Sequence, residues 1–249
     1  MSKKSLRIAT WNIASNKNYD EVAAKIADLD IDICALQEVS LDPAVDLPVL
    51  FGRRGQGNTS DYCWHFTPAL VPEELGGGKP EYYGLAIVSR IPLSRTAAFQ
   101  LGPGSAGSVV DAENEPRILQ VAALASEGPV FIGNTHLAAT GDWSLSAVRR
   151  IQAGKIAGML RPLATQGPLV LCGDFNAEPS SSDLAEIRQA LPYFHSSTER
   201  TYLEDHGRPP IDFFCSSVAL EVNISVFPAD GLSDHRIVVA TFHGIGSRA

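Results

Sequence analysis

Several short apolar runs in this chain end in a polar side chain that bears an acid, an amide or an imidazole group. Asn12 follows the run over residues 6–11, and Glu38 follows the run over residues 31–37. Asp174 comes after residues 169–173, and His235 stands just before the apolar residues 237–240. Enzymes of the α/β class collect their functional groups at strand ends, so this pattern predicts an α/β chain with a polar site at one sheet edge.

The periodicity of the first half alternates strands with a helix and then pairs strands. Residues 6–13 and 31–36 have the composition of strands, and the apolar stripe over residues 19–29 has helical spacing. Prolines and glycines break any regular pattern between residues 41 and 82, which predicts one long surface loop whose aromatic and arginine residues are candidates for holding a substrate. Three further strands are expected over residues 83–91, 117–125 and 130–135.

In the second half, a helix is expected to begin near residues 142–146 and to end before Pro162. Its predicted buried face contains Leu145, Val148, Ile151, Ile156, Met159 and Leu160. A strand over residues 169–173, a helix after residues 180–182 and strands over residues 211–216, 222–227 and 236–243 follow. Two packed mixed β-sheets with helices outside would bury all these elements.

The length and composition fit one domain and limit its partners. A chain of 249 residues that is 45% hydrophobic can bury a full core, so a single domain over residues 1–249 is expected. The net charge of -8 disfavours a protein that coats duplex DNA, although a local basic patch remains compatible with nucleic acid. The four cysteines are far apart in sequence and form no Cys-x-x-Cys pair, which favours reduced thiols and a cytoplasmic location. No run approaches the roughly 20 apolar residues of a membrane span.

Six short motifs occur in one order along the chain. They are Thr10-Trp11-Asn12-Ile13, Leu36-Gln37-Glu38-Val39, Gly133-Asn134-Thr135-His136-Leu137, Gly173-Asp174-Phe175-Asn176, Ile211-Asp212 and Ser233-Asp234-His235. In this order they resemble the endonuclease/exonuclease/phosphatase (DNase I-like) superfamily over residues 8–236. The resemblance implies a four-layer αββα sandwich of the α/β (α+β) class and metal-dependent hydrolysis of a phosphoester.

The resemblance also implies a metal site. Phosphoester hydrolysis benefits from a hard cation on the phosphoryl oxygens, and Mg²⁺ or Mn²⁺ prefers carboxylates and neutral oxygens as ligands. By resemblance, Glu38, Asn12 and Asp234 are the candidate metal ligands. Asn12 has a structural alternative, which is to cap the turn after the first strand, and Asp234 has the alternative of a local cap.

The remaining motif residues are candidates for catalysis. By resemblance, Asp174 orients or deprotonates the attacking water, and Asn176 helps to hold the scissile phosphate. His235 bonds to the phosphate or acts as general base, with Asp212 fixing its tautomer, and His136 donates to a phosphoryl oxygen or to the leaving group.

Other readings remain open. Arg117 is either a phosphate contact or a salt-bridged strand-end arginine. A DNA or RNA nuclease of the same superfamily would use Arg53-Arg54 and Arg149-Arg150, but the acidic balance opposes it. Specialised repair activities are disfavoured because Ala14 stands where those members usually carry an acid. An inactive module that binds phosphate is a remote alternative, and the oligomeric state is open.

Overall fold

The structure is a computed structural model, and it describes residues 5–42, 62–70, 82–102, 115–126, 128–142, 144–204 and 209–245. The strands in chain order are β1 (Ser5–Asn12), β2 (Ile33–Leu41), β3 (Cys63–Leu70), β4 (Tyr82–Ser89), β5 (Leu93–Gln100), β6 (Ile118–Leu124), β7 (Phe131–His136), β8 (Leu169–Asp174), β9 (Tyr193–His195), β10 (Asp212–Ser216), β11 (Glu221–Phe227) and β12 (Ile237–His243). The helices are α1 (Tyr19–Asp28), α2 (Ala147–Ala164) and α3 (Ala185–Ala190), and a 3₁₀ turn (Ser182–Leu184) precedes α3.

These strands form two six-stranded mixed sheets. The first sheet has the order β11-β12-β1-β2-β4-β3, and the second has the order β5-β6-β7-β8-β10-β9. Each sheet contains one parallel pair, β1 with β2 and β7 with β8, which places the carboxyl ends of four strands at one edge of the sandwich. The predicted α/β class with two packed mixed sheets is confirmed.

Three apolar clusters separate four layers. The period-two alternation of β1 sends Trp11 toward Val22 and Ile26 of α1 and sends Ile8 toward the second sheet. Ile156 of α2 packs on the outer face of the second sheet. The αββα sandwich therefore follows from strands that are apolar on both faces, because each sheet is covered by the other sheet on one side and by a helix on the other.

A buried polar network crosses the space between the sheets. The amide nitrogen of Asn134 on β7 donates to the carbonyls of Leu36 (3.0 Å) and Ala86 (3.1 Å) in the opposite sheet. Its amide oxygen accepts a hydrogen bond from Nε2 of Gln37 at 2.8 Å. The pairing of β2 with β4 shifts register between Leu36 and Val39, so Asn134 satisfies a carbonyl beside this β-bulge.

The prediction of one long loop over residues 41–82 is partly wrong, because β3 lies within this range. β3 is an edge strand of the first sheet, where Pro68 is tolerated since no further strand needs its missing N–H. Most residues of β3 are only half-buried, so no clean alternation marks it. Residues 43–61 and 71–81, including Arg53 and Arg54, lie outside the described residues. The strands β5 and β9 are also edge strands that the sequence did not reveal.

The predicted buried face of α2 is also partly wrong. Leu145 and Ile151 are each 60% exposed, whereas Arg149 and Gln152 face inward together with Ile156 and Leu160. Polar partners inside the protein decide the orientation: Arg149 forms an ion pair with Asp183, and Gln152 accepts a hydrogen bond from the N–H of Ala138. The periodicity of apolar residues could not reveal these partners.

The end of α2 differs from the expectation as well. The helix continues through Pro162 to Ala164, where proline removes only one hydrogen bond of the last turn. The Pro162 carbonyl accepts hydrogen bonds from Oγ1 of Thr165 and Nε2 of Gln166, so this helix end is satisfied by side chains.

Two simpler expectations concern the thiols and the membrane. Cys34, Cys172 and Cys215 are buried free thiols, as their apolar surroundings in sequence predicted. Among the described residues, every helix is too short or too polar to cross a lipid bilayer.

We expect Asn134→Ala to lower the free energy of unfolding by about 3 kcal/mol, because two carbonyls and one amide N–H would lose buried partners. Urea denaturation measures this loss. The matched control is Asn223→Ala, an exposed residue of β11 whose side chain bonds to the half-buried ring of His243. A loss for Asn134→Ala no larger than that of the control would show that the network does not stabilise the sandwich.

Candidate active site

The polar strand ends of both sheets converge on one cavity of about 380 Å³. Of the predicted site residues, six line this cavity: Glu38, His136, Asp174, Asn176, Asp234 and His235. Asn12 and Asp212 contact these side chains from behind the cavity wall. The structure thus brings together all eight side chains that the motifs singled out.

Asp212 and His235 form one unit across the cavity floor. Nδ1 of His235 lies 2.9 Å from Oδ2 of Asp212, and both side chains are buried. Burial of the imidazole lowers the pKa of His235, but the carboxylates of Asp212, Asp174 and Asp234 outweigh burial and raise that pKa to about 10. Since a carboxylate accepts, Nδ1 donates to Asp212 and Nε2 faces the cavity, 3.7 Å from Oδ2 of Asp174.

Asp174 is a buried acid that lines the cavity. Gly173 precedes it with φ +153°, and a Cβ there would lie 1.9 Å from the Thr135 carbonyl oxygen, so only glycine lets β8 approach β7 this closely. Oδ1 of Asp174 accepts from the N–H of Asn176, and Oδ2 accepts from the Asn12 amide. Burial, together with the nearby Asp212 carboxylate, raises the pKa of Asp174 to about 7.

Glu38 reaches the cavity because the β-bulge turns it out of the sheet. Its φ is +54°, a conformation that costs a non-glycine residue about 1 to 3 kcal/mol and that is found mostly at functional sites. The amide nitrogen of Asn12 donates to Glu38 (2.9 Å) and to Asp174 (3.1 Å), so it links the two carboxylates. The Asn12 amide oxygen accepts from the N–H of Ala14, which is the turn-capping role that the sequence left open.

His136, the last residue of β7, lines the cavity and contacts an ion pair. Its Nδ1 is 2.7 Å from Nη1 of Arg117, whose Nη2 is 2.9 Å from Oε2 of Glu115. Nε2 of His136 lies 3.6 Å from Oδ2 of Asp174. Arg117 is therefore a salt-bridged arginine that also lines the cavity, and its contact with a phosphate stays a prediction.

Asn176 and Asp234 complete the predicted set. The Asn176 amide nitrogen donates to the Leu137 carbonyl, and the residue has φ +47°. Its own carbonyl accepts from Nη1 of Arg149, which is buried and therefore does not belong to an exposed basic patch. Asp234 is half-buried beside Ser233, whose hydroxyl also donates to the Asn12 carbonyl and so ties the two motifs together.

Sequence reasoning missed several residues of the cavity wall. Tyr202 packs its ring 4.8 Å from that of His235, and Thr140 lies on the loop after β7. Glu115 lines the cavity beside Arg117. Tyr83 also lines it, but this tyrosine was among the aromatic residues predicted to hold a substrate. Of the missed residues, only Glu115 carried a signal, because it stands two residues before Arg117 in sequence; Tyr202 and Thr140 lie in irregular segments.

The family comparison decides the identity of the fold. The family model described as "Endonuclease/Exonuclease/phosphatase family" matches residues 9–235. The chain belongs to this family. The resemblance inferred from the six motifs is therefore confirmed, and family members are hydrolases that act on phosphoesters.

Solved structures share the fold at low sequence identity. An endonuclease/exonuclease/phosphatase from Bacteroides vulgatus is 22% identical with a TM-score of 0.69, and the match covers 97% of this chain and 99% of that one. The human Nocturnin catalytic domain with bound sulfate is 21% identical with a TM-score of 0.68, covering 96% and 94%. A mannosyl-6-phosphatase from Bacteroides thetaiotaomicron is 17% identical with a TM-score of 0.64, covering 95% and 99%. A comparison with curated protein sequences gives no significant match.

The donor atoms of the site fit a hard divalent cation. Glu38, Asp174 and Asp234 offer carboxylate oxygens at one cavity, and the buried Oδ1 of Asp212 has no hydrogen-bond partner within the described residues. The ligand atoms of Asp174, Asp212 and His235 lie within 4.8 Å of one another. Oδ2 of Asp212 is already bonded to Nδ1 of His235, so Oδ1 is the oxygen that Asp212 has free for an ion.

For the pair formed by Asp212 and His235, we expect His235→Ala and Asp212→Ala each to lower kcat by on the order of a hundredfold. Removing either residue disables the same fixed imidazole, so the double variant should be little slower than the slower single variant. Steady-state kinetics on folded protein test this, and two losses that multiply in the double variant would contradict a single unit.

Proposed function

We propose that this protein is a divalent-metal-dependent phosphoesterase that hydrolyses a phosphomonoester or phosphodiester by in-line attack of an activated water. The observation that carries the proposal is the convergence of the eight motif residues on one cavity. Two imidazole Nε2 atoms approach the same Asp174 oxygen there, at 3.6 and 3.7 Å. Acid, base and hydrogen-bond donor are thus present within reach of one phosphoryl group.

Asp174, His235 and His136 have different roles in the proposed hydrolysis. Asp174 orients the attacking water and accepts its proton, because its carboxylate is held by Asn12 and by the Asn176 N–H and keeps one face toward the cavity. His235, oriented by Asp212, binds a non-bridging phosphoryl oxygen through Nε2. His136 donates through Nε2, which lies 3.6 Å from Oδ2 of Asp174, to another phosphoryl oxygen or to the leaving group.

A bound Mg²⁺ or Mn²⁺ would neutralise charge that develops on the phosphoryl oxygens. We propose Glu38, Asn12 and Asp234 as the residues that hold it. Glu38 supports this assignment because a bulge in a non-glycine left-handed conformation directs its carboxylate to the cavity. Oxygen donors without cysteine suit such hard ions.

We propose a small phosphate ester rather than a nucleic acid as the substrate. The cavity wall carries the acids Glu38, Glu115 and Asp234, and the chain has a net charge of -8. Arg149, one of the arginines that favoured a nuclease, is buried and bonded to Asp183. Among solved relatives of the same fold, one is titled a mannosyl-6-phosphatase and another a 2',3'-cyclic phosphatase.

A screen of sugar phosphates, nucleotides, inositol phosphates, phospholipid head groups and single-stranded RNA tests the substrate class. We expect turnover of a small ester, with weak dependence on salt. Preferential cleavage of nucleic acid with binding that weakens steeply as salt rises would favour the nuclease reading instead.

We expect activity to disappear when a chelator removes divalent ions and to return when Mg²⁺ or Mn²⁺ is added, because the carboxylate-rich site needs a cation to bind an anionic ester. The hydrolysis rate before and after re-addition of metal measures this. Full activity in excess chelator would contradict the metal role of Glu38.

Substitution should separate metal binding from water activation. We expect Glu38→Ala to raise the metal concentration needed for half-maximal activity by tenfold or more, on the order seen when a metal site loses a supporting group. Asp174→Asn should lower kcat at saturating metal by on the order of a hundredfold or more, because the amide does not accept the water proton. Exposed Glu186→Ala and Asp230→Asn serve as controls. Full turnover in Asp174→Asn would show that another group activates the water.

A further inference from the structure

Arg117 stands between an acid and an imidazole on the cavity wall. It immediately precedes β6, and His136 ends the neighbouring antiparallel strand β7. Nη1 of Arg117 lies 2.7 Å from Nδ1 of His136, and Nη2 lies 2.9 Å from Oε2 of Glu115. The side chains of Arg117 and His136 are 4% and 6% exposed, so neither can turn to solvent without breaking this contact.

The donor chemistry of Arg117 determines the tautomer of His136. A guanidinium has only N–H donors and does not lose its proton in proteins, so Nδ1 of His136 has to accept the hydrogen bond. A neutral imidazole that accepts at Nδ1 carries its proton on Nε2. Burial and the adjacent guanidinium both hold the pKa of His136 well below its usual range, which agrees with the neutral form.

His136 and His235 consequently have opposite hydrogen-bond polarity. Nδ1 of His235 donates to Asp212, whereas Nδ1 of His136 accepts from Arg117. Both Nε2 atoms lie near Oδ2 of Asp174. The hydrogen bond at Nδ1 differs between the two rings, because its partner is Arg117 for His136 and Asp212 for His235. The ion pair with Glu115 balances the buried guanidinium charge and holds it in place.

We propose that Arg117 is a positioning residue that fixes His136 as a neutral Nε2–H donor aimed at the phosphoryl or leaving-group oxygen of the substrate. The identity of the oxygen rests on the proposed function, whereas the tautomer rests only on the geometry of Arg117 and His136. Glu115 serves Arg117 as its counter-ion and has no separate role in this assignment.

NMR of protein labelled with ¹⁵N-histidine tests the tautomer without any substrate. We expect His136, identified by the signals that vanish in His136→Gln, to show a protonated Nε2 and an unprotonated Nδ1. In Arg117→Met, His136 should lose this single pattern, because Nδ1 no longer faces an obligatory donor. Arg90→Met, which removes an arginine salt-bridged to Asp30 and Asp32 at the surface, should leave the pattern unchanged.

A second variant keeps the test valid if Arg117→Met does not fold. Removing the guanidinium leaves the largely enclosed carboxylate of Glu115 without its cationic partner, which is destabilising, whereas the pair Glu115→Gln and Arg117→Met removes both charges. The double variant should show the same change at His136. A protonated Nδ1 in the wild-type protein, or an unchanged pattern in the folded double variant, would overturn the proposal.

Kinetics distinguish action through His136 from direct action on the substrate. We expect Arg117→Met to lower kcat by on the order of a hundredfold in the wild-type background. In the His136→Gln background the same change should cost less than about threefold, because residues that act through one group are non-additive. Losses that multiply would show that Arg117 acts on the substrate directly and would overturn the positioning role. If no tested ester were hydrolysed, the proposed function would fail while the NMR pattern still decided the tautomer.

Discussion

The hydrogen bonds of Asn134 between the two sheets are the constraint on which the site depends. A β-bulge in β2 leaves backbone groups without ladder partners, and in a closed sandwich those groups are buried away from water. Asn134 satisfies the Leu36 and Ala86 carbonyls from the opposite sheet, and Gln37 closes the network from β2. The bulge that presents Glu38 is therefore compatible with a dry core only because a polar side chain of the other sheet reaches it.

The same requirement explains why unusual backbone conformations collect at this edge. Glu38 and Asn176 both have positive φ, and Gly173 permits a close approach of β7 and β8 that any Cβ would block. Glu38 and Asn176 line the cavity, and Gly173 directly precedes Asp174, which lines it as well. Asn12 donates a hydrogen bond to Glu38, and Arg149 donates one to the carbonyl of Asn176. These contacts stabilise the two residues in their strained backbone conformations.

The hydrogen-bonding role of each titratable group in the site depends on the charged side chain that contacts it. Asp212 makes one imidazole a donor at Nδ1, and Arg117 makes the other an acceptor at Nδ1. Asp174 lies between the two rings and is linked to Glu38 through the Asn12 amide. The concentration of carboxylates in a buried space favours a divalent cation as the partner that completes the site.

The sequence by itself determined the elements with strong patterns and the identity of the polar strand ends. The apolar runs that form β1, β2, β8 and β12 are buried on both faces. A continuous apolar run predicts such a buried strand from the sequence alone. The six motifs, through the family resemblance, likewise predicted which eight side chains would share one edge. The carboxyl ends of β1, β2, β7 and β8 meet there with the amino ends of the antiparallel strands β10 and β12.

Only the tertiary structure decided which face of α2 is buried, where the edge strands lie and which atoms of the site meet. Arg149 and Gln152 face inward because their partners are loop carbonyls, an N–H and Asp183 from distant parts of the chain. The edge strand β3 is mostly half-buried and the edge strand β5 is almost entirely exposed, so neither carries an alternation of buried and exposed residues. The hydrogen bond at Nδ1 of His136 depends on Arg117 and that at Nδ1 of His235 depends on Asp212. These partners lie 19 and 23 residues away in sequence, and local periodicity carries no information about such pairs.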